Sequence, residues 1–129
     1  MNAISLTTLI ASPKNTLFNY LIDIDNLPEW AVEFCQKLTS NNGKYVVTTP
    51  IGELFYSVES DRVSGVIDLI TSSDGVSQNI LPTRVLGVTD QASVYVVTLM
   101  QAPEISDEMF QQQKNSLARE METLQGLFA

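Results

Sequence analysis

The sequence contains no histidine. Ser-His-Asp and Cys-His nucleophile arrangements are therefore excluded, as is every metal site built on imidazole. A single cysteine, Cys35, rules out an intrachain disulfide and a multi-cysteine zinc site. Cys35 lies in the apolar-rich run Trp30–Leu38 with no activating base signalled nearby, the setting of a small buried hydrophobe rather than a nucleophile. Basic residues are also scarce: seven Lys and Arg stand against 15 Asp and Glu, for a formal charge of -8. They are spread singly from Lys14 to Arg119, so no patch exists to hold phosphates, and nucleic acid and anionic lipid would be repelled. Long apolar runs are missing too. Val94–Met100 falls far short of a membrane span, and the N-terminus lacks the basic-then-apolar layout of a secretion signal. The expectation is a cytoplasmic protein with no nucleic-acid or membrane partner, its charge serving solubility.

What is present suits one folded domain over residues 1–129, with 44% hydrophobic residues to build a core. Ala3–Ala11 alternates as a strand, with Ile4, Leu6, Thr8 and Ile10 on one side. Ser12 as N-cap and Pro13 as first helical residue open a helix whose apolar face is Leu17, Phe18, Leu21 and Ile22. The helix should end near Asp23–Asp25, with a second short helix through Leu27–Trp30. Extended segments then recur between turns: Ala31–Thr39, Tyr45–Thr49, Leu54–Ser60, Val66–Thr71, Val76–Val88 and Ser93–Gln101. Pro82 cannot donate to a ladder, which predicts a bulge or an edge at that point.

Ser106–Phe128 is the longest helical pattern. Phe110, Leu117, Met121, Leu124 and Phe128 fall on one stripe at 100° per residue. Ser106 is its N-cap, Asp107 and Glu108 place negative charge in the first turn, and Ile105 with Phe110 form a hydrophobic staple. Strand, two short helices, about six strands and a long helix define an α+β layer, a curved antiparallel sheet covered on one face.

The opening strand with Ser12-Pro13, Asp25–Trp30, Thr49–Gly52, Pro82–Val85 and Ser106-Asp107-Glu108 with Phe110 together resemble the SRPBCC superfamily. This is the START-like, birch-pollen-allergen-like group that includes polyketide cyclase/dehydrase-like proteins. The resemblance implies a helix-grip fold: about seven antiparallel strands gripping the C-terminal helix, with two short helices closing an apolar cavity. It implies binding of a small apolar or amphipathic ligand, with a cyclase/dehydratase-like enzyme as one alternative and a non-catalytic interaction module with a filled core as another. No cyclase active-site motif is present, so no catalytic residue, metal or cofactor is assigned.

Within that frame, the candidate ligand-binding residues are Trp30, Tyr56, Asp68, Arg84, Tyr95, Phe110, Gln113, Leu117 and Met121. Asp68 interrupts an apolar strand and would have a raised pKa if it faced the cavity. Arg84, the lone basic residue between Gly65 and Met100, could bind a ligand carboxylate or polarise a carbonyl. Trp30 could wall the entrance, and Tyr56 and Tyr95 could offer phenols. Gln113 and Lys114 break the apolar stripe of the last helix, where Gln113 could reach a bound polar group. Val94–Met100 is apolar on both strand faces, which raises a homodimer through the outer sheet face.

Overall fold

A computed structural model describes all residues, Met1–Ala129. Its centre is one curved antiparallel sheet of seven strands in the order β1-β7-β6-β5-β4-β3-β2. The strands are β1 (Ala3–Ile10), β2 (Lys37–Asn41), β3 (Lys44–Thr49), β4 (Gly52–Asp61), β5 (Val66–Ser72), β6 (Asn79–Thr89) and β7 (Ala92–Met100). Helices α1 (Lys14–Ile22) and α2 (Leu27–Trp30), joined by a 3₁₀ turn at Ile24–Asn26, connect β1 to β2, and α3 (Asp107–Leu127) closes the chain. At 21 residues, α3 is about 31 Å long.

The predicted cap is formed at α3, where the Ser106 Oγ accepts from the Met109 N–H at 3.1 Å. Gln101 fixes the approach to it. Its Oε1 accepts from the Asn2 backbone N–H and Nδ2, and its Nε2 donates to the Ile105 carbonyl and to Asp107 Oδ1. The start of α3 is thereby tied to the start of β1. Helix α1 begins one residue later than expected, because the Ser12 hydroxyl donates to the Pro13 carbonyl and caps no N–H.

Ala31–Gln36 is not extended; only Lys37–Asn41 forms β2. The Cys35 N–H bonds the Ala31 carbonyl, and a side chain from α3 takes the N–H groups of Glu33 and Phe34. Pro82 sits in an internal strand but opposite Asp68 of β5, and the β6–β7 pairing begins only at Thr83. The β6–β7 ladder stops one residue short of Pro82 although β7 runs on to Met100, and the register shift of β6 lies later, between Gly87 and Thr89. Gly65, at φ +80°, closes the β4–β5 turn against β6. A Cβ there would meet the Val85 carbonyl oxygen at 2.1 Å, so no other residue fits.

One contiguous core joins Ile10, Leu17, Phe18, Leu21, Trp30, Val47, Ile67, Val85, Tyr95, Val97, Leu117, Met121 and Leu124. Each fully buried aliphatic side chain contributes roughly 1.5–3 kcal/mol relative to exposure. Phe128, past the end of α3, packs edge-on against Tyr20 with ring centroids 5.3 Å apart.

Candidate functional site

The sheet presents two faces in strict alternation, and the register decides what each carries. Thr8, Tyr95, Val85, Ile67, Val58 and Tyr56 lie on the covered face, under α2 and α3. Asp68 and Arg84 occupy the alternate positions, so both stand on the outer face. Asp68 is flanked in register by Glu59 and Pro82, and the Arg84 Nε donates to the Ser64 carbonyl at 2.9 Å. The two do not form an ion pair; the one salt bridge joins Arg119 to Glu33 at 2.6 Å.

Tyr95 and Tyr56 face inward from β7 and β4, and Trp30 of α2 packs edge-on against the Tyr95 ring at 6.2 Å. Tyr95 is fully buried and its hydroxyl has no hydrogen-bond partner. Thr83, close by on β6, gives its own hydroxyl to the Ile67 carbonyl at 2.6 Å. Burial pushes the Tyr95 phenol well above its ordinary range; the neighbouring Thr83 hydroxyl, which makes no hydrogen bond of good geometry to it, pulls the other way, and the negative charge of Glu120 adds to the rise. Burial likewise raises Tyr56, followed by the charges of Tyr95, Cys35 and Glu120, which places these four groups in one neighbourhood.

Glu120 is the residue that sequence reasoning missed. It lies on α3 at the edge of the apolar stripe, just beyond Leu124, and it is 5% exposed. Its Oε2 accepts from the backbone N–H groups of Glu33 at 3.1 Å and Phe34 at 2.9 Å. Desolvation raises its carboxyl above the usual range, against the pull of those two bonds. Next to it, Arg119 grips Glu33 with two N–H donors, which holds the Glu33 carboxyl low. The available signal was its helix angle, about 60° from Leu117 and 40° from Leu124 at 100° per residue. Cys35 is buried beside this carboxylate, and burial first, then Glu120, raises its thiol. No positive charge is buried in the cluster, although the exposed Arg119 acts on Glu120 from outside it. All seven Lys and Arg are exposed or half-exposed.

Leu117 and Met121 pack into the core from α3, whereas Phe110 is buried outside that cluster. Gln113 shares the angular face of Leu117 yet is exposed, and Lys114 is half-buried, although Phe110 earlier on the same stripe is buried. Open space lies elsewhere. A groove of about 390 Å³ runs beside β4, lined by Ile24, Lys44, Tyr45, Tyr56, Ser57 and Val58 among others, and no residue of α3 borders it. On the outer face, Val94 and Val96 are half-exposed, with Leu9 56% and Leu86 38% exposed around them.

Searched against solved structures, the chain is similar along its length to several proteins. An uncharacterised protein from Bacillus thuringiensis superposes with a TM-score of 0.76 at 12% identity, covering 98% of each chain. A START superfamily protein from Mycobacterium smegmatis gives 0.71 at 13%, covering 98% of this chain and 96% of that one. The chain has the START-like helix-grip fold. The aromatase/cyclase Zhui from Streptomyces sp. R1128 shares it as well, with a TM-score of 0.67 at 13% identity over 97% of this chain and 92% of that one. No family model and no curated protein matches the sequence. No helix is long and apolar enough to cross a membrane.

Proposed function

We propose that this helix-grip protein binds a small, apolar, electrically neutral molecule carrying a hydrogen-bond acceptor, with the acceptor directed to the Tyr95 hydroxyl. The observation that carries this reading is the unpartnered Tyr95 Oη in an otherwise apolar interior. A buried donor left without a partner costs about 1–3 kcal/mol, and a ligand carbonyl or ether oxygen would supply what the chain does not. Neutrality follows from the charges around it. The interior holds the Glu120 carboxylate and no cation, and the chain carries a net charge of -8, so a carboxylate or phosphate would be desolvated with no counter-charge to meet it. Apolar burial against Trp30, Tyr56, Leu117 and Met121 would supply most of the binding energy, and Tyr95 its orientation. Because these side chains pack together without ligand, binding requires them to part.

Trp30 is the only tryptophan and touches Tyr95, so its fluorescence reports directly on the site. The test titrates a long-chain fatty acid and its methyl ester, with the neutral dye N-phenyl-1-naphthylamine as competitor. The reading expects the ester and the dye to change Trp30 emission and the free acid to bind at least tenfold more weakly. Absence of any signal from all three, or equal binding of acid and ester, overturns it. Association of two copies through Leu9, Leu86 and Val94 belongs to the same proposal, and a monomer in sedimentation at micromolar concentration removes it.

A further inference from the structure

The sheet has a fault line at β4. Gly52–Tyr56 pair with β3, and Phe55–Asp61 pair with β5, so Phe55 and Tyr56 alone have strand neighbours on both sides. Past the Tyr45–Tyr56 pair the chain of β3 turns away through Asn42 and Gly43, both at positive φ, and Ser57–Asp61 have no strand beside them there. The groove of about 390 Å³ starts in this gap and continues over the outer face of β4 and β5, where Phe55, Ser57, Ile70 and Ser72 line it. Tyr56 borders it and also belongs to the buried core with Cys35 and Tyr95, so it is the residue the groove and the interior share.

The opposite wall is the 3₁₀ turn Ile24–Asn26, which contributes Ile24 to the groove. One side-chain hydrogen bond fastens that turn to the sheet: Tyr45 Oη donates to Asp25 Oδ1 at 3.2 Å, in an exposed position. Its other bonds are local, from Asn26 Nδ2 to the Tyr20 carbonyl, from the Asp25 N–H to Asp23 Oδ1, from the Asn26 N–H to the Asp23 carbonyl and from the Leu27 N–H to the Ile24 carbonyl. The turn is thus a short link between α1 and α2 with Ile24 resting on the core, and Tyr45–Asp25 is its one hydrogen bond to the sheet.

We infer that the groove beside β4 is the entrance to the interior, and that the Tyr45–Asp25 hydrogen bond is the latch holding the Ile24–Asn26 turn closed over it. This rests on the binding reading for its purpose, but the opening itself is a property of the chain alone. Entry here bypasses α3 altogether. The alternative entrance lies under α3 near the exposed Gln113, and no residue of α3 borders the groove beside β4.

Cys35, the only thiol, is buried in the same core as Tyr56 and serves as the reporter. The experiment measures the rate at which the small neutral reagent N-ethylmaleimide modifies Cys35 in the native protein, with global stability measured in parallel by urea. Tyr45→Phe and, independently, Asp25→Ala should each raise the modification rate about fivefold, the effect of one lost hydrogen bond, while the urea midpoint stays put. Gln113→Ala should leave the rate unchanged. The inference is overturned if neither latch variant accelerates modification, if the acceleration only tracks a fall in global stability, or if Gln113→Ala accelerates it as much. Dye kinetics separate this from the binding proposal. Tyr45→Phe should speed N-phenyl-1-naphthylamine association and dissociation together with Kd unchanged, whereas a dye that never binds defeats the binding reading and leaves the Cys35 result standing.

Discussion

The two faces of the sheet are built from the same strands and nearly the same residue types, yet they are chemically opposite. The covered face carries Tyr56, Tyr95, Val85 and Ile67, closed over by α2 and α3, and its few polar atoms lie in a medium where each unmade bond is expensive. The outer face carries Asp68, Arg84 and Glu59, where water satisfies whatever the chain does not. Burial, rather than residue identity, thus makes a polar group consequential. A tyrosine hydroxyl inside matters more here than an aspartate and an arginine outside.

Substitution can break that contrast in steps. The largest effect is expected from Leu124→Ala, which empties a fully buried position and should cost about 3 kcal/mol in urea denaturation; Leu9→Ala on the outer face should cost less than about 1 kcal/mol. Equal losses would mean that the outer face is covered in solution.

Glu120→Ala comes next, at about 2 kcal/mol, since it strands the N–H groups of Glu33 and Phe34 beneath α3. The conservative Glu120→Gln tests the charge. Burial raises this carboxyl above its ordinary 4.5, so the folded chain holds the proton more tightly than the unfolded chain does. The stability linked to that proton is fully present below the unfolded value and is lost as pH rises through the folded one. Wild type should therefore lose stability relative to Glu120→Gln as pH climbs from 4 to 7, and a pH-independent difference would refute the assignment.

Tyr95→Phe should move in the other direction. Deleting an unpartnered hydroxyl should raise stability by about 1 kcal/mol while weakening binding of the methyl ester, a trade of stability for function. A loss of stability would indicate that an internal water already serves the hydroxyl. Asp68→Asn and Arg84→Ala should be the smallest, within about 0.5 kcal/mol and without effect on binding. Asp68→Asn should fall on the stabilising side, because it relieves the carboxylate of Glu59 directly across the ladder. A clear loss of binding in either variant would return the site to the outer face.

The sequence by itself determined the element order, the cap and apolar stripe of α3, the turn glycines and the exclusion of histidine and disulfide chemistry. Each rests on contacts within a few residues, where periodicity and cap chemistry act. It also determined that Asp68 shares a strand face with Val66 and Ile70, since alternation is local. Which of the two faces lies under α3 was decided only by the tertiary structure, because alternation is symmetric and the covering helix comes from the far end of the chain. The same holds for Glu120, whose donors lie 86 and 87 residues away. It holds too for the groove at β4, where the two flanking strands β3 and β5 overlap along β4 at only Phe55 and Tyr56. Position along the chain sets what a residue can do, and the packing of distant segments sets whether water is there to compete with it.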